Sequence, residues 1–338
     1  MHASLPPTVT IDGTTCCIGR RACSLRRAHP LPGDEHITFE PKGHLYTAYG
    51  APVDRSVTRL IDDCFERFDA AAVAAKFYEV WKQNPCSGYH TRIHALLAAG
   101  RNDAQVQGHI CAGWSHLGEN AARLGTAIHA HCEYIMNGET VHWDEEIATE
   151  VAQYAAFTVS TFATQRGLEP YRSELCVACR GDPGRRCEAR SMVVSAGQID
   201  ALYTDQEGMY YLVDFKRVHP KHPFSPDAVG YRGRCGVGIA SHLPDTRFHR
   251  YCLQTAVYNL MLVDTNGIDV GVRMFLLRLH SELADTYELV QCLDLRAEAA
   301  ALLAAEQMRQ RRALDAARDH TLDIATGTTP SPQPEERV

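Results

Sequence analysis

No stretch of this sequence approaches the ~20 consecutive apolar residues that a membrane-spanning helix requires, so no membrane association is expected. Basic surplus is missing too. The chain carries 34 Lys and Arg against 41 Asp and Glu, a net charge of −7, so its bulk balance does not announce a nucleic-acid binder. Local basic patches can still hide inside an acidic total. An apolar signal segment is absent from the opening residues MHASLPPTVTIDGTTCC, which are polar and broken by proline. Cysteine, by contrast, is plentiful. An odd count of 13 Cys with no signal segment predicts an intracellular, reducing compartment, cytoplasm or nucleus, with mostly free thiols. Arg20, Arg21, Arg26 and Arg27 could belong to an organelle-targeting stretch. A disordered basic leader is the preferred reading, because Pro6, Pro7, Pro30 and Pro32 break any long amphipathic helix.

With 338 residues, 45% hydrophobic and 22% charged, the chain has the composition of a globular protein rather than a disordered or fibrous one. Residues 1–35 read as the disordered leader. HITFEPKGHLYTAYG alternates apolar and polar residues about Pro41-Lys42-Gly43, as a hairpin does. Ser56 fits an N-cap before VTRLIDDCFERFD, where Val57, Leu60, Ile61, Cys64, Phe65 and Phe68 recur at helical spacing. Two or three further helices are expected over 70–120, interrupted by NPCSGYH and by the glycines near 100–118. A strong helix follows from about Asn120 to Met136, stopped by Asn137-Gly138, and another spans about 144–166.

The pattern then changes to period two. YRSELCVA, SMVVSAGQIDALYT and MYYLVDFKRV are three successive strand candidates, the last two joined by the turn TDQEG. After a Pro-, Gly- and His-rich loop at 219–246 come a helix from Arg247 to about Val263, two strands (GVRMFLLRLH and TYELVQCLDL), a long helix to about 319 and a disordered tail over 320–338. No internal repeat is present. The expected class is α/β or α+β: a hairpin and helical region over 36–119, then a mixed central sheet flanked by helices over 120–319.

Three segments carry chemistry. Asp214 and Lys216 are two apart on the apolar strand YYLVDF, so they leave one face together. Pairing with the preceding strand can bring Asp200 beside Asp214. Two adjacent carboxylates repel unless a cation neutralises them, and a hard divalent metal does so. A bare Asp-x-Lys is most often a surface ion pair. Here charges ending so apolar a strand need a reason. In the second segment, GTAIHAHCE, His129 and Glu133 share a helix face. A packed histidine and a solvated glutamate are the ordinary reading of that pair taken alone. His131 has no matching partner, and the His-Glu-x-x-His pattern of zinc proteases is absent. In the third, YCLQTAVYNLML, Gln254 and Tyr258 lie one turn apart and can face a common site, although an amphipathic helix with an ordinary Gln and Tyr explains the segment equally well.

Their order is GxxxHxxxE, a strand Glu, GxxD, DxK and then QxxxY. In that order the sequence resembles the RecB-type, lambda-exonuclease-like branch of the PD-(D/E)XK nuclease superfamily, over roughly residues 120–262. GHLYTAYGAPVDRSVTRLIDDCFERFD is similar to the N-terminal half of relatives in this branch. The resemblance implies a restriction-endonuclease-like fold. It implies Asp200 and Asp214 as metal-binding acids, with the Phe215 carbonyl and His129 as further ligands of Mg²⁺ or Mn²⁺. Lys216 would be the catalytic lysine, and Glu174 of YRSEL the acid on the first core strand. Gln254 and Tyr258 would contact the lysine and the DNA. Asp214 stands where many relatives have Glu.

Some relatives hold an iron–sulfur cluster with one Cys upstream of the core and three downstream. Only Cys292 follows Tyr258, so no such cluster is expected. Cys176, Cys179 and Cys187 supply three thiols where a zinc site needs four ligands. Free thiols are the preferred reading, with a structural zinc the minor one. Arg180, Arg185, Arg186 and Arg190 lie between the first two core strands. Arg217 and Lys221 follow the third, and Arg232, Arg234, Arg247 and Arg250 come next, interleaved with Tyr231 and Phe248. Of these, Arg185, Arg186, Arg217, Arg247 and Arg250 are the expected nucleic-acid contacts. Such a rim suits a phosphodiester backbone, and its aromatics suit unpaired bases. The expectation is a Mg²⁺- or Mn²⁺-dependent deoxyribonuclease, an exonuclease acting on single-stranded DNA or duplex ends in repair or recombination. The alternative is a catalytically silent DNA-binding or assembly module that keeps the fold.

Overall fold

A computed structural model describes residues 9–11, 14–16, 24–139, 144–181, 193–283 and 286–326. It is a mixed α/β structure. The elements in order are β1 (Val9–Ile11), β2 (Thr14–Cys16), α1 (Ser24–Ala28), β3 (Ile37–Glu40), β4 (Leu45–Ala48), β5 (Ala51–Pro52), α2 (Val57–Asp62), α3 (Ala70–Gln83), α4 (His90–Ala98) and α5 (Asp103–Met136). Then follow α6 (Ala148–Thr158), α7 (Thr161–Arg166), β6 (Glu169–Arg180), β7 (Val193–Thr204), β8 (Tyr210–Arg217), α8 (Arg247–Asn266), β9 (Met274–Leu279), β10 (Glu288–Gln291) and α9 (Arg296–Thr326).

The central sheet has the order β10-β9-β8-β7-β6. Only β8 and β9 run parallel; the other neighbours are antiparallel. Alternation along each strand loads both faces. Leu202, Leu212 and Leu276 point into one apolar layer with α2, α8 and α9. Ala201, Tyr203, Val213, Phe215 and Leu277 point into the other with the C-terminal half of α5 and with α6. A second sheet, β3-β4-β5, is antiparallel throughout. Ile37, Tyr46 and Ala48 seat it on Ala178, Val193 and Ala196 at one end of the central sheet. Tyr78, Ile93, Val106 and Ile110 hold α3, α4 and the start of α5 in a small helical pack.

Several expectations change. The boundary at 119/120 falls inside a helix, because α5 is one run of 34 residues. Gly108, Gly113 and Gly118 do not interrupt it. A glycine in a helix interior costs only about 1 kcal/mol, and packing of Val106 and Ile110 outweighs that. A reciprocal cap between Asn102 and Gln105 starts the helix. The helix expected over 144–166 breaks at Val159-Ser160, where Ser160 caps α7 through the Ala163 N–H. The helix begun at Ser56 ends at Asp62, and the Ser56 side chain makes no capping bond. Phe68 therefore leaves the stripe that buries Cys64 and Phe65 and stands exposed.

The leader expected through residue 35 carries the antiparallel pair β1–β2 and, from Ser24, α1. Asp34 grips Arg172 of β6 with two bonds of 2.7 and 2.8 Å, and that buried guanidinium needs the acid. At the other end α9 runs on to Thr326. Residues 1–8 and 327–338 lie outside the described residues. Among the described residues, no helix is long and apolar enough to cross a membrane.

Candidate active site

The ladder between β7 and β8 ends at the pair Ala201–Val213. Asp200 and Asp214 are the next pair in register, and there side-chain bonding replaces the ladder. Asp200 Oδ2 accepts the Phe215 backbone N–H at 2.7 Å. On the other side of β7, Glu174 lies opposite Asp200, between the pairs Ser173–Ala201 and Leu175–Ile199. Glu174 has φ of +44°, inside a strand. A non-glycine residue in this region costs of order 1–3 kcal/mol and persists only where its surroundings hold it. Here Gln198 Nε2 donates to the Glu174 carbonyl at 3.0 Å.

From α5, His129 reaches the opened strands. Its Nε2–H donates to the Phe215 carbonyl at 3.1 Å. Its Nδ1 lies 3.4 Å from Asp200 Oδ1 and 3.8 Å from Glu174 Oε1. Both ring nitrogens thus face acceptors, which an imidazolium satisfies. Burial works against that charge, but Asp200 and Glu174 outweigh it and hold the His129 pKa well above its usual value. Burial likewise opposes ionisation of Asp200. His129, Lys216 and the Phe215 N–H overcome it and lower the Asp200 pKa. Glu174 is raised by burial and by Asp200, against the pull of His129.

Asp214 and Lys216 leave β8 together toward α8. Lys216 Nζ is 2.5 Å from Asp214 Oδ2 and 4.8 Å from the ring centroid of Tyr251. Burial pushes Asp214 up to about 7, against the Lys216 ammonium beside it. Burial also opposes the Lys216 charge, yet Asp214 and Asp200 prevail and hold the lysine protonated. From α8, Gln254 Nε2 donates to the Tyr258 hydroxyl at 2.8 Å. Burial raises the Tyr258 pKa well above the usual phenol value, so the hydroxyl keeps its proton.

One cavity of about 460 Å³ is lined by His129, Glu174, Asp200, Asp214, Lys216, Gln254 and Tyr258. Seven of the eight residues singled out for catalysis or metal binding meet there. The eighth, Phe215, offers its backbone at the edge of the same cluster. The placement of the acids differs from the expected ligand set. His129, Glu174 and Asp200 each present a ligand atom within 4.8 Å of the others, whereas Asp214 turns to Lys216.

The donor set suits a hard divalent cation, because it is oxygen-rich with one imidazole. Two further observations fit. Asp214 Oδ2 is buried with the Lys216 ammonium against it, so a further carboxylate lines the same cavity. Glu133, expected in solvent, is instead buried beside the cavity with Oε2 unpartnered, and burial with Glu174 nearby raises its pKa well above the usual range.

Other parts of the site were not visible in the residue pattern. Tyr251 was not singled out. Gly197, part of the GxxD spacing, owes its identity to packing: a Cβ there would lie 2.5 Å from Tyr258 Cε1 and 3.0 Å from Val57 Cγ2. The β3–β4 hairpin supplies one wall through Phe39, His44 and Tyr46.

The basic rim is less uniform than expected. Arg217 is not part of it. Its Nε binds Glu150 of α6 at 3.0 Å, on the sheet face away from Lys216. Phe248 is fully buried and cannot stack on a base. Arg250 is held by Asp245 at 2.6 Å and lies over Phe65. Arg247 is exposed. Arg185, Arg186, Arg190 and Cys187 lie outside the described residues. Burial pushes the Cys176 and Cys179 thiols up to about 12 and about 11, so both stay protonated.

No family model matches the chain, and no curated protein does. The solved structure of SSO0001 aligns with 83% of this chain and 87% of its own length. The identity is 11% and the TM-score 0.29, a likeness too weak to carry an argument about fold or chemistry.

Proposed function

We propose that the protein is a Mg²⁺- or Mn²⁺-dependent deoxyribonuclease acting at or near DNA ends, with a PD-(D/E)XK core of restriction-endonuclease-like form. The observation that supports this best is the convergence of His129, Glu174, Asp200, Asp214, Lys216, Gln254 and Tyr258 on one cavity from three strands and two helices. A structural ion-pair network has no need to bring three acids, a half-buried lysine and a buried tyrosine to the same void.

Glu174, Asp200 and the neutral form of His129, its Nδ1 proton released on binding, would hold the cation, with the Phe215 carbonyl beside them. When bound, the cation would neutralise charge on the scissile phosphate and acidify a water. The remaining chemistry belongs to the side chains. Lys216, kept protonated, would donate to a phosphate oxygen as negative charge grows on it. Asp214 and the Tyr251 ring fix the ammonium, so little reorganisation is needed at the moment of reaction. The hydroxyl of Tyr258, oriented by Gln254, would donate to a second phosphate oxygen. Strand β7 keeps the acids at fixed separation, because Asp200 is tied to the Phe215 backbone.

The test is cleavage of end-labelled single- and double-stranded DNA with Mg²⁺, Mn²⁺ and EDTA. Cleavage that requires the metal and disappears in Asp200→Asn is expected. A purified protein that binds DNA and never cuts it with either metal would instead favour a silent binding module.

A further inference from the structure

A second, larger groove adjoins the catalytic cavity. It measures about 910 Å³, and His44, Ser56 and Thr58 line both spaces. One wall is α2 and the segment after it, with Arg59 and Phe68. The other is the loop before α8 and the start of α8, with Tyr231 and Arg247.

Charge in the groove is mixed. Five arginines line it together with Asp62, Glu66 and Asp245. Three of the arginines are committed: Arg67 to Asp63, Arg234 to Glu66 and Asp245, and Arg250 to Asp245. Arg59 and Arg247 are exposed, and among the described residues neither meets a carboxylate at ion-pair distance. One uncommitted cation thus stands on each wall. The aromatics stay largely open to solvent, although Phe68 meets Trp114 in a T-shaped contact with ring centroids 5.5 Å apart. Phe68 is 67% exposed and Tyr231 is 66% exposed. Tyr231 is carried on a tight turn in which Arg232 adopts φ of +56°, a costly conformation for arginine. The Arg232 guanidinium lies 5.5 Å from the Tyr231 ring and 6.0 Å from Phe77 of α3, which fastens the turn to the helical pack.

We infer that this groove is the track for a single, unpaired polynucleotide strand leading to the catalytic cavity, with phosphates on Arg59 and Arg247 and bases stacked on Phe68 and Tyr231. The inference rests on the nuclease reading for its direction, and it narrows the substrate to an unpaired strand. Two observations favour that over a duplex. The reacting groups are sunk in a cavity walled by the β3–β4 hairpin and α5, where Asp200, Asp214 and Tyr258 are all buried. An extended strand can carry a phosphate down to them, whereas a duplex brings its second strand against those walls. Exposed aromatic faces beside phosphate-binding arginines are also a device for unstacked bases, since a duplex keeps its base faces covered.

The test measures binding by the full chain in EDTA, so that cleavage plays no part. The probes are labelled oligo(dT) and oligo(U) of ~12 nucleotides and a blunt hairpin duplex. The unpaired probe is expected to bind at least ~10-fold more tightly than the duplex. Arg59→Gln combined with Arg247→Gln should raise Kd at least ~10-fold and reduce the salt slope by about 1.4, or about 0.7 per lost phosphate contact. Tyr231→Ala removes no charge. It should raise Kd at least ~5-fold with the slope unchanged. Thermal melting of each variant confirms that the surface change leaves the fold intact.

Equal or tighter binding of the duplex overturns the inference. So does wild-type affinity in both variants. A protein that binds the single strand this way but never cuts with Mn²⁺ sinks the nuclease reading and leaves the groove standing. One that cuts while both variants bind normally sinks the groove alone. Preference for oligo(U) keeps the groove and overturns the deoxyribonuclease assignment.

Discussion

Strands β7 and β8 share two unlike ends. From Ala201–Val213 to Thr204–Tyr210 they are fully laddered. Tyr203 there is buried among Phe157 and Tyr154, and its hydroxyl meets that of Tyr154 at 2.8 Å. Every polar atom of that tyrosine pair has a partner. One residue beyond Ala201 the ladder stops, and acids, a lysine and a histidine replace it. Among the described residues Glu133 Oε2 has no hydrogen-bond partner, Asp214 Oδ2 is paired with the Lys216 ammonium, and Glu174 is held in a strained conformation. The laddered end fixes the separation of the two strands. The open end uses that fixed separation to hold like charges closer than they would choose. On the proposed function, stability and chemistry occupy opposite ends of one strand pair, and substitutions at the two ends should have separable effects.

The largest effect is expected at the open end. Asp200→Asn keeps an acceptor for the Phe215 N–H but removes a charge from the proposed cation site. DNA cleavage should fall by at least ~1,000-fold, about 4 kcal/mol of transition-state stabilisation, with a melting temperature near wild type. Cleavage rates within tenfold of wild type would show that the open end is not the reaction centre.

Gly197 lies on β7 beyond the open end, paired with Val177 of β6, and Gly197→Ala should have an intermediate effect. The added methyl meets the Tyr258 ring and Val57, so it should cost ~1–3 kcal/mol of stability. It should also reduce cleavage, because Tyr258 must move. A variant that melts lower and cleaves normally would separate Tyr258 from the chemistry. His129→Ala should raise the Mn²⁺ concentration for half-maximal cleavage at least ~10-fold, about 1.4 kcal/mol. If His129 is only a packing residue, the melting temperature will drop while the Mn²⁺ titration overlays that of the wild type. The smallest effect belongs to the laddered end. Tyr203→Phe should cost ~1 kcal/mol, a fall of ~2–4 °C in Tm, with cleavage unchanged. Altered metal dependence in that variant would break the comparison.

Local patterns made much of this arrangement readable in advance. Period-two alternation located β6, β7 and β8, and the expected pairing of β7 with β8 brings Asp200 beside Asp214. Helical spacing put Gln254 and Tyr258 on one face of α8. What stayed hidden depended on distant partners. Gly108, Gly113 and Gly118 looked like helix breakers, since nothing local reveals that α3 and α4 brace α5. Arg217 looked like a rim cation because its partner, Glu150, is 67 residues away. Glu133 looked solvated because its burial comes from packing around the cavity. The left-handed backbone at Glu174 has no residue-type signal, as no glycine or asparagine marks it.

Lys216→Ala is the measurement that tests the central claim most directly. In the enzyme reading Lys216 acts on growing charge, while binding is shared among arginines outside the cavity. The variant should therefore bind single-stranded DNA within ~10-fold of wild type, a loss of at most ~1.4 kcal/mol, and show almost no cleavage in single-turnover assays with saturating Mn²⁺. A Lys216→Ala protein that cuts at the wild-type rate, or a wild type whose only change on losing this lysine is a shallower salt dependence of binding, would contradict the account.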